Sequence, residues 1–288
     1  MSEKKEQYFP ITRKFAHKVA RWEKLDCGNL PGYRLIPSKL LSVIEYTLPQ
    51  TAALPAGKTI AFLSDLHFHQ SAKSSRIVGQ MLQILENYAP DYLLLGGDMT
   101  GDAIDIEPLN SVLSKLRRVC GKCFAVGGNW EYGKEWLAAD FWKEFYRKHD
   151  IVYLQNEIIE DGGMVFCGVA DICSGRSALP ELDMNKYNIM LAHNPDTALA
   201  LDRSKLKYYP QLVLSGHTHG GQVNIPFLNT PVHIHSRYGN TFAHGIFRHR
   251  KRGSLLMVSA GLSELSFPWR FNCRRELLIL RTGGTANE

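Results

Sequence analysis

Residues 59–67 read Thr-Ile-Ala-Phe-Leu-Ser-Asp-Leu-His, an apolar strand-like run that ends in two polar side chains. Two similar runs follow along the chain and end at Gly-Gly-Asp98 and Gly-Gly-Asn129. Between the runs, apolar residues recur at helical spacing over residues 77–88 and 109–116, which predicts two helices. This alternation indicates an α/β sheet, and ligands bind outside the carboxyl ends of the strands in such sheets.

The second half of the chain contains more strands and fewer helices. Residues 152–169 indicate a β-meander with an Asp-Gly-Gly turn, and further apolar runs cover residues 188–192, 211–214, 255–258 and 276–280. Helices early and strands late predict two packed sheets with helices on the outside.

The composition is that of an ordinary globular protein. The chain has 288 residues, of which 44% are hydrophobic and 22% charged, and this excludes a disordered chain. No stretch approaches the roughly 18 to 20 apolar residues that cross a bilayer, and the first residues lack the apolar run of a secretory signal. Six scattered cysteines are typical of reduced thiols, so we expect a cytoplasmic protein.

The net charge of +6 favours an anionic partner. We expect residues 1–57 to form a basic amphipathic segment that packs on or flanks a metal-binding domain of residues 58–288. Phe15, Val19 and Trp22 share one face if the start of this segment is helical. Such a helix either packs on the domain or lies on an anionic membrane surface.

A second basic segment covers residues 248–252, Arg-His-Arg-Lys-Arg. It is either a solvated hairpin tip or a contact for phosphate headgroups. We do not expect nucleic acid as a partner, because no nucleic-acid-binding motif accompanies the run. Contact with headgroups would make this cytoplasmic protein peripheral to the inner membrane.

Polar residues at the strand ends form a set suited to metal binding. The set combines imidazoles, carboxylates and one amide without a thiolate, and such ligands suit Mn²⁺, Fe or Zn²⁺. Rigid strands hold ligands in place, and the neighbouring glycines let the backbone approach closely. The candidate metal ligands are Asp65, His67, Asp98, Asn129, His193, His217 and His219.

These residues stand in sequence blocks that resemble those of the calcineurin-like metallophosphoesterases, in particular a bacterial branch of single-domain phosphodiesterases. The blocks are Asp65-Leu66-His67, Gly97-Asp98, Gly128-Asn129-Trp130-Glu131, His193 and Gly216-His217-Thr218-His219. The resemblance covers about residues 58–282. It implies an α/β fold of the four-layer α/β/β/α metallophosphoesterase sandwich type.

The resemblance also implies two divalent metal ions at one sheet edge, with Mn²⁺ favoured and Fe or Zn²⁺ as alternatives. One ion would be held by Asp65, His67, Asp98 and His219, and the other by Asp98, Asn129, His193 and His217. Asp98 would bridge the ions, and the predicted catalytic residues are Asp98, Asn129 and His193. Two such cations polarise a phosphate and lower the pKa of a bound water, which enables attack on phosphorus.

One position departs from the family pattern, because Trp130 stands where the family usually has a histidine that helps to protonate the leaving group. Tryptophan cannot supply a proton near neutral pH, whereas a general acid contributes about 10²–10⁴ in rate. The loss matters little when the leaving group is itself a phosphate, so Trp130 favours a pyrophosphate substrate. Alternatively, His69 or Arg270 fills the role of the histidine.

Trp130, His69 and Arg270 are the predicted substrate-binding residues. Relatives that hydrolyse UDP-2,3-diacylglucosamine in lipid A synthesis also lack the histidine. We therefore expect a phosphate-containing small molecule or a lipid-linked nucleotide diphosphate of this kind as the substrate. Two alternatives stay open: a general phosphodiesterase acting on small or nucleotide diesters, and a non-catalytic scaffold that retains the metal site.

Overall fold

Strands make up most of the regular structure. The computed structural model describes residues 20–101, 106–133, 139–173, 177–201, 208–226, 239–264 and 269–283. Its strands are β1 (Trp22–Lys24), β2 (Tyr33–Pro37), β3 (Ser42–Leu48), β4 (Lys58–Leu63), β5 (Tyr92–Leu95), β6 (Lys122–Ala125), β7 (Val152–Tyr153), β8 (Glu157–Asp161), β9 (Met164–Val169), β10 (Tyr187–Ala192), β11 (Leu212–Ser215), β12 (Gly245–His249), β13 (Leu255–Val258) and β14 (Glu276–Thr282).

These strands form two seven-stranded sheets. The first sheet has the order β2-β3-β14-β4-β5-β6-β7, and the second has the order β1-β12-β13-β11-β10-β9-β8. Four neighbouring strands of the first sheet are parallel, namely β4, β5, β6 and β7. Four neighbouring strands of the second sheet are also parallel, namely β9, β10, β11 and β13. Each sheet therefore brings the carboxyl ends of several strands to one edge.

Helices cover the outer faces of the sheets. They are α1 (Ala72–Tyr88), α2 (Glu107–Arg118), α3 (Asn129–Tyr132), α4 (Ala139–Arg147) and α5 (Thr197–Leu201). The N-terminus of α1 is capped by Ser71, whose side chain accepts a hydrogen bond from the Ser74 amide. None of the helices within the described ranges combines the length and the apolar character needed to cross a membrane.

Three apolar clusters define the layers. On β5, Leu93 and Leu95 pack against α1 and α2, whereas Leu94 packs between the two sheets. On β11, Leu214 packs between the sheets, and Val213 contributes to the cluster that includes α5 on the outer face. This alternation follows from the period of two along a strand, and it buries both faces of both sheets. The expected α/β/β/α sandwich is confirmed.

Part of the predicted N-terminal segment, residues 1–57, belongs to the two sheets. Residues 22–48 contribute β1 to the second sheet and both β2 and β3 to the first. Trp22 lies in β1 and is buried, so it does not share a helical face with Phe15 and Val19. The last two residues belong to residues 1–19, which lie outside the described residues. A domain boundary at residue 58 stays a prediction.

Long-range pairing explains why these strands were missed. β3 pairs in parallel with β14, and β1 pairs with β12, so the partners come from the far end of the chain. Residues 152–169 also differ from the expected meander, because β7 pairs with β6 in the first sheet while β8 and β9 form a hairpin in the second. The basic run 248–252 lies at the turn between β12 and β13, as the hairpin-tip interpretation predicted.

Phe166 tests the core between the two sheets. Its ring centroid lies 4.7 Å from that of Phe124 and 4.8 Å from that of Tyr92, and the side chain is fully buried. We expect Phe166→Ala to lower the free energy of unfolding by about 3–5 kcal/mol, because it removes apolar contacts and leaves a cavity. Urea denaturation followed by circular dichroism measures this change.

The matched control is Ile158→Ala on the adjacent strand β8, where the side chain is 49% exposed. This variant should change the free energy of unfolding by less than about 0.5 kcal/mol. Equal losses in the two variants would show that Phe166 does not belong to a packed core.

Candidate metal centre

Strand ends from both sheets place the predicted ligands at one edge of the sandwich. In the first sheet, Asp65 and His67 follow β4, Asp98 follows β5 and Asn129 follows β6. In the second sheet, His193 directly follows β10, and His217 and His219 follow β11. Because these strands run parallel within each sheet, the ligand loops of both sheets converge between the layers.

The ligand residues adopt an unusual backbone conformation. Five of them have positive φ angles in the left-handed region: Asp65 (53°), His67 (40°), Asp98 (53°), His217 (71°) and His219 (49°). Residues other than glycine rarely adopt this conformation, which costs about 1–3 kcal/mol each. Such strain persists at functional sites where the surrounding structure imposes it.

Backbone hydrogen bonds impose this conformation on the first two ligand loops. The Asp65 amide donates to the Gly97 carbonyl at 3.0 Å, and the His67 amide donates to the Asp98 carbonyl at 3.0 Å. The loop after β4 is thereby fixed to the loop after β5. The Asp65 carboxylate also accepts the His217 amide, at 3.0 and 3.1 Å to its two oxygens, which connects the two sheets.

The ligand atoms fall into two groups. Within each group they all lie within 4.8 Å of one another, and all six residues are buried. The first group consists of Asp65, His67 and His219, and the second of Asp98, His193 and His217. Asp98 Oδ2 lies 3.2 Å from His193 Nε2 and 3.5 Å from His67 Nε2, so this carboxylate stands where the groups meet.

Asn129 belongs to the second group. Its Oδ1 lies 2.8 Å from His217 Nδ1 and 3.1 Å from His193 Nε2. The structure therefore brings all seven predicted ligands together, although their roles as ligands stay predictions.

Hydrogen bonds to carbonyl groups orient two of the imidazoles. His193 Nδ1 donates to the Gly96 carbonyl at 2.8 Å, and His219 Nδ1 donates to the Ser263 carbonyl at 3.0 Å. When neutral, both rings then present the Nε2 lone pair to the site, as metal-binding histidines do. His219 Nε2 lies 3.3 Å from His67 Nε2, a close approach of two ring nitrogens that suits a shared cation.

Burial governs the protonation of these side chains. It raises the pKa of Asp98 to about 7 against the opposing effect of His193, and it raises the pKa of Asp65 as well. Burial also lowers the pKa of His67 to about 3 and holds the pKa of His219 well below its ordinary value. For His193, the nearby carboxylate of Asp98 outweighs burial and raises the pKa. Buried carboxylates need a positive partner to ionise, and neutral imidazoles are the form that binds metal.

Glycines leave room for the carboxylates and imidazoles. A Cβ atom at Gly128 would collide with Asp98 Oδ1, and one at Gly216 would collide with Asp65 Oδ2. A Cβ atom at Gly97 would lie 2.8 Å from His193 Nδ1. This close packing and the oxygen and imidazole donors fit two divalent cations of the Mn²⁺, Fe or Zn²⁺ type.

Glu131 has a part in the site that sequence reasoning did not assign. Its buried carboxylate accepts the Gly128 and Asp98 amides at 2.8 Å and the Met99 amide at 2.9 Å. These bonds join the loop that carries Asp98 to the loop that carries Asn129. The signal in the sequence was an acidic residue directly beside a predicted ligand, but its backbone partners are visible only in three dimensions.

The three predicted substrate-binding residues lie around His67 and His219. His69 is exposed and its Nδ1 lies 3.0 Å from the His67 carbonyl, while the Trp130 ring packs edge-on against the His67 ring at a centroid distance of 5.0 Å. Arg270 donates from Nη1 to the His219 carbonyl at 3.3 Å and from Nη2 to the Ser263 carbonyl. The Arg270 guanidinium thus holds backbone carbonyls beside His219, and a role for these three residues in substrate binding stays a prediction.

Two groups of candidate metal ligands at the edge of an α/β/β/α sandwich are typical of a class of proteins that hold two cations. Comparison with known proteins agrees with this class. The family model described as calcineurin-like phosphoesterase matches residues 58–221, which is more than half of the chain. The chain belongs to this family, and the resemblance of the sequence blocks is confirmed.

Curated relatives come from several bacteria. An uncharacterized metallophosphoesterase of Helicobacter pylori is 30% identical over 234 residues, covering 77% of this chain and 59% of that protein. An uncharacterized metallophosphoesterase of Aquifex aeolicus is 32% identical over 206 residues, covering 67% of this chain and 75% of that protein. The phosphodiesterase YaeI of Escherichia coli is 28% identical over 229 residues, covering 77% and 80%. The chain thus spans less than two thirds of the Helicobacter protein.

Glu131 provides a test of how the ligand loops are held. We expect Glu131→Gln to weaken metal binding by about 10- to 100-fold, because one of the two acceptor oxygens becomes an NH2 group that faces backbone N–H donors, and the bonds made by that oxygen are lost. Isothermal titration of the metal-free protein with Mn²⁺ measures this effect. The control is Glu86→Gln on the exposed face of α1, which removes the same charge. Wild-type affinity in Glu131→Gln would contradict the bracing role.

Proposed function

We propose that this protein is a two-metal phosphohydrolase that cleaves a phosphodiester or pyrophosphate bond. The observation that supports it best is the pair of ligand groups that meet at Asp98, with the carboxylate within 3.2–3.5 Å of a histidine from each group. A two-cation site of this kind suits in-line displacement at phosphorus. We also propose Mn²⁺ as the metal, with Fe or Zn²⁺ as alternatives that oxygen and imidazole donors without a thiolate would equally accept.

The side chains of this protein would divide the work at the site. When bound, the cations would supply positive charge to the phosphate oxygens and a water acidic enough to attack phosphorus near neutral pH. Asp98, which lies close to both His193 and His67, and Asn129, which lies close to His193, would hold these histidines in position. Glu131 braces the two loops that carry Asp98 and Asn129. The burial of Asp98, His67 and His193 excludes bulk water from them, so the charges at the site would act in a medium of low dielectric constant.

Trp130 supports a substrate with a good leaving group. Its indole packs against His67, and its backbone amide donates to Asp98 Oδ1 at 2.9 Å. The side chain at this position is therefore beside the ligand groups, yet it cannot donate a proton as an acid. A phosphate leaving group needs no such proton near neutral pH, so we propose a preference for pyrophosphate over alkyl phosphodiester bonds.

An exposed apolar rim beside His219 supports an acylated substrate. Ile225, Trp269 and Phe271 are 42%, 53% and 49% exposed. The segments that carry them are joined by the Asn224 amide, which donates to the Phe271 carbonyl at 2.9 Å. A lipid-linked nucleotide diphosphate such as UDP-2,3-diacylglucosamine has both a pyrophosphate for the metal centre and acyl chains for this rim.

A second candidate is a general phosphodiesterase for small or nucleotide diesters, and the relative named phosphodiesterase YaeI favours it. The two candidates differ in the leaving group that the enzyme prefers. A scaffold without activity is the third reading, and it requires that the complete set of ligands serves no catalysis.

Substrate preference and Trp130→His separate these candidates. With Mn²⁺, we expect wild-type protein to cleave UDP-2,3-diacylglucosamine and simpler UDP-sugars faster than alkyl phosphodiesters. Trp130→His should raise the rate on alkyl diesters by about tenfold or more, because it restores a general acid. Trp130→Phe is the control and should not raise that rate. Faster cleavage of alkyl diesters by the wild-type protein would contradict the pyrophosphate proposal.

We also propose that the basic start of the chain contacts an anionic membrane surface and holds this cytoplasmic protein at the inner membrane. Deleting residues 1–19, which keeps β1 intact, should weaken binding to anionic vesicles by at least about tenfold, since each basic residue near the surface contributes about 1 kcal/mol. Vesicle sedimentation measures this, with neutral vesicles as the control. Equal binding by the full and shortened chains would reject the contact.

A further inference from the structure

A large cavity, open to solvent, lies where the edges of the two sheets meet, opposite the metal centre. Its volume is about 1210 Å³, and its walls include Leu48 from the end of β3, Tyr187 from the start of β10 and Leu255 from the start of β13. His193 follows the other end of β10. At about 3.3 Å per residue, the length of β10 separates the cavity from the metal centre by about 20 Å. The cavity is thus distinct from the proposed active site.

The cavity walls are mainly apolar. Leu25, Leu30 and Tyr46 add to the apolar lining. Two polar side chains in the wall are already engaged: Gln211 Oε1 accepts the Asn188 amide at 2.8 Å, and Gln50 Nε2 donates to the Leu54 carbonyl at 3.1 Å. These two amides offer little to a sugar or a nucleotide. The walls instead suit a long hydrocarbon chain, and the volume exceeds the roughly 300–1,000 Å³ of sites for drug-sized ligands.

Positive charge borders this apolar cavity. Arg248 and Arg252 line it, as part of the basic run that the sequence analysis singled out. Arg248 is neutralised by Glu23, with Nη2 2.7 Å from Oε1. Arg252 lies with its guanidinium carbon 4.7 Å from the centroid of the Tyr209 ring and has no carboxylate partner among the residues that the structure describes. This arginine is exposed and can bind an anionic headgroup.

We propose that this cavity binds a long-chain fatty acid, with the acyl chain along the apolar wall at the sheet edges and the carboxylate on Arg252. The apolar walls favour a hydrocarbon chain, and the cation at the border favours a carboxylate at its end. The ligand is a second one, bound away from the metal centre, and its binding does not depend on the proposed hydrolase activity.

Chain length gives the first test. Delipidated full-length protein is titrated with saturated fatty acids of increasing length below their micelle concentrations, by displacement of a fluorescent fatty acid. Each added methylene should tighten Kd by about fourfold until the chain fills the cavity. The chain-matched alcohol should bind more weakly. Absence of binding, or affinity independent of chain length, would overturn the proposal.

Two variants with matched controls locate the site. Leu30→Trp places a larger ring in the cavity wall and should weaken fatty-acid binding at least tenfold by obstructing the acyl chain, whereas Leu35→Trp, at a position 51% exposed outside the lining, should not. Arg252→Glu should weaken binding of the acid but not of the alcohol, whereas Lys39→Glu, which changes the charge equally away from the lining, should leave both unchanged. Arg252→Glu alters an exposed side chain, so it keeps the test valid if Leu30→Trp does not fold.

Alternative occupants give distinct results. If residues 1–19 fill the cavity, the full chain should not bind fatty acid while the chain shortened by those residues should, and that result would overturn the proposal. Hydrolysis of bis(p-nitrophenyl) phosphate is measured on the same samples. Fatty-acid binding without hydrolysis would support the cavity proposal and reject the proposed function, and hydrolysis without binding would do the reverse.

Discussion

The buried carboxylate of Asp98 must be balanced by positive charge, and the surrounding structure depends on this requirement. Oδ2 lies between histidines of the two ligand groups, at 3.2 Å from His193 and 3.5 Å from His67. Oδ1 accepts the Trp130 amide. Burying an ionised carboxylate without a positive partner costs several kcal/mol, which one amide hydrogen bond does not offset. Without metal, the imidazole of His193, whose pKa Asp98 raises, is the available partner; two divalent cations would take over this charge, and neutral imidazoles would then act as ligands.

The fold concentrates these charges through the direction of its strands. Parallel neighbours in each sheet bring the carboxyl ends of the strands to a common edge, and packing the sheets face to face brings the two sets of loops together. The turns needed for close approach place Asp65, Asp98 and His217 in the left-handed region. The carboxylate of Glu131 and the backbone hydrogen bonds between the loops hold these residues in this conformation. The packing of the sandwich therefore offsets the free-energy cost of this backbone strain.

Local sequence was enough to predict the ligands because each follows an apolar run, and the order of strands and helices was enough for the sandwich. Local sequence was not enough for β1 and β3, because their partners β12 and β14 lie about 230 residues further along the chain. Arg270 illustrates a further limit. The sequence shows a cation near the site, but only the structure shows that its guanidinium contacts the His219 and Ser263 carbonyls. The cavity at the edges of the two sheets likewise could not be predicted from the local sequence.

The number of metal ions bound with and without the Asp98 carboxylate shows whether this side chain joins two cation sites. Metal-free wild-type protein, titrated with Mn²⁺ in a calorimeter, should bind two ions per chain and then hydrolyse bis(p-nitrophenyl) phosphate. Asp98→Ala should lose high-affinity binding and reduce hydrolysis to background, because it removes the carboxylate shared by the groups, whereas the exposed-site control Asp183→Ala should behave as wild type. Binding of two ions by Asp98→Ala with unchanged affinity, or no binding by the wild-type protein, would contradict the role of Asp98 as the carboxylate shared by two cations.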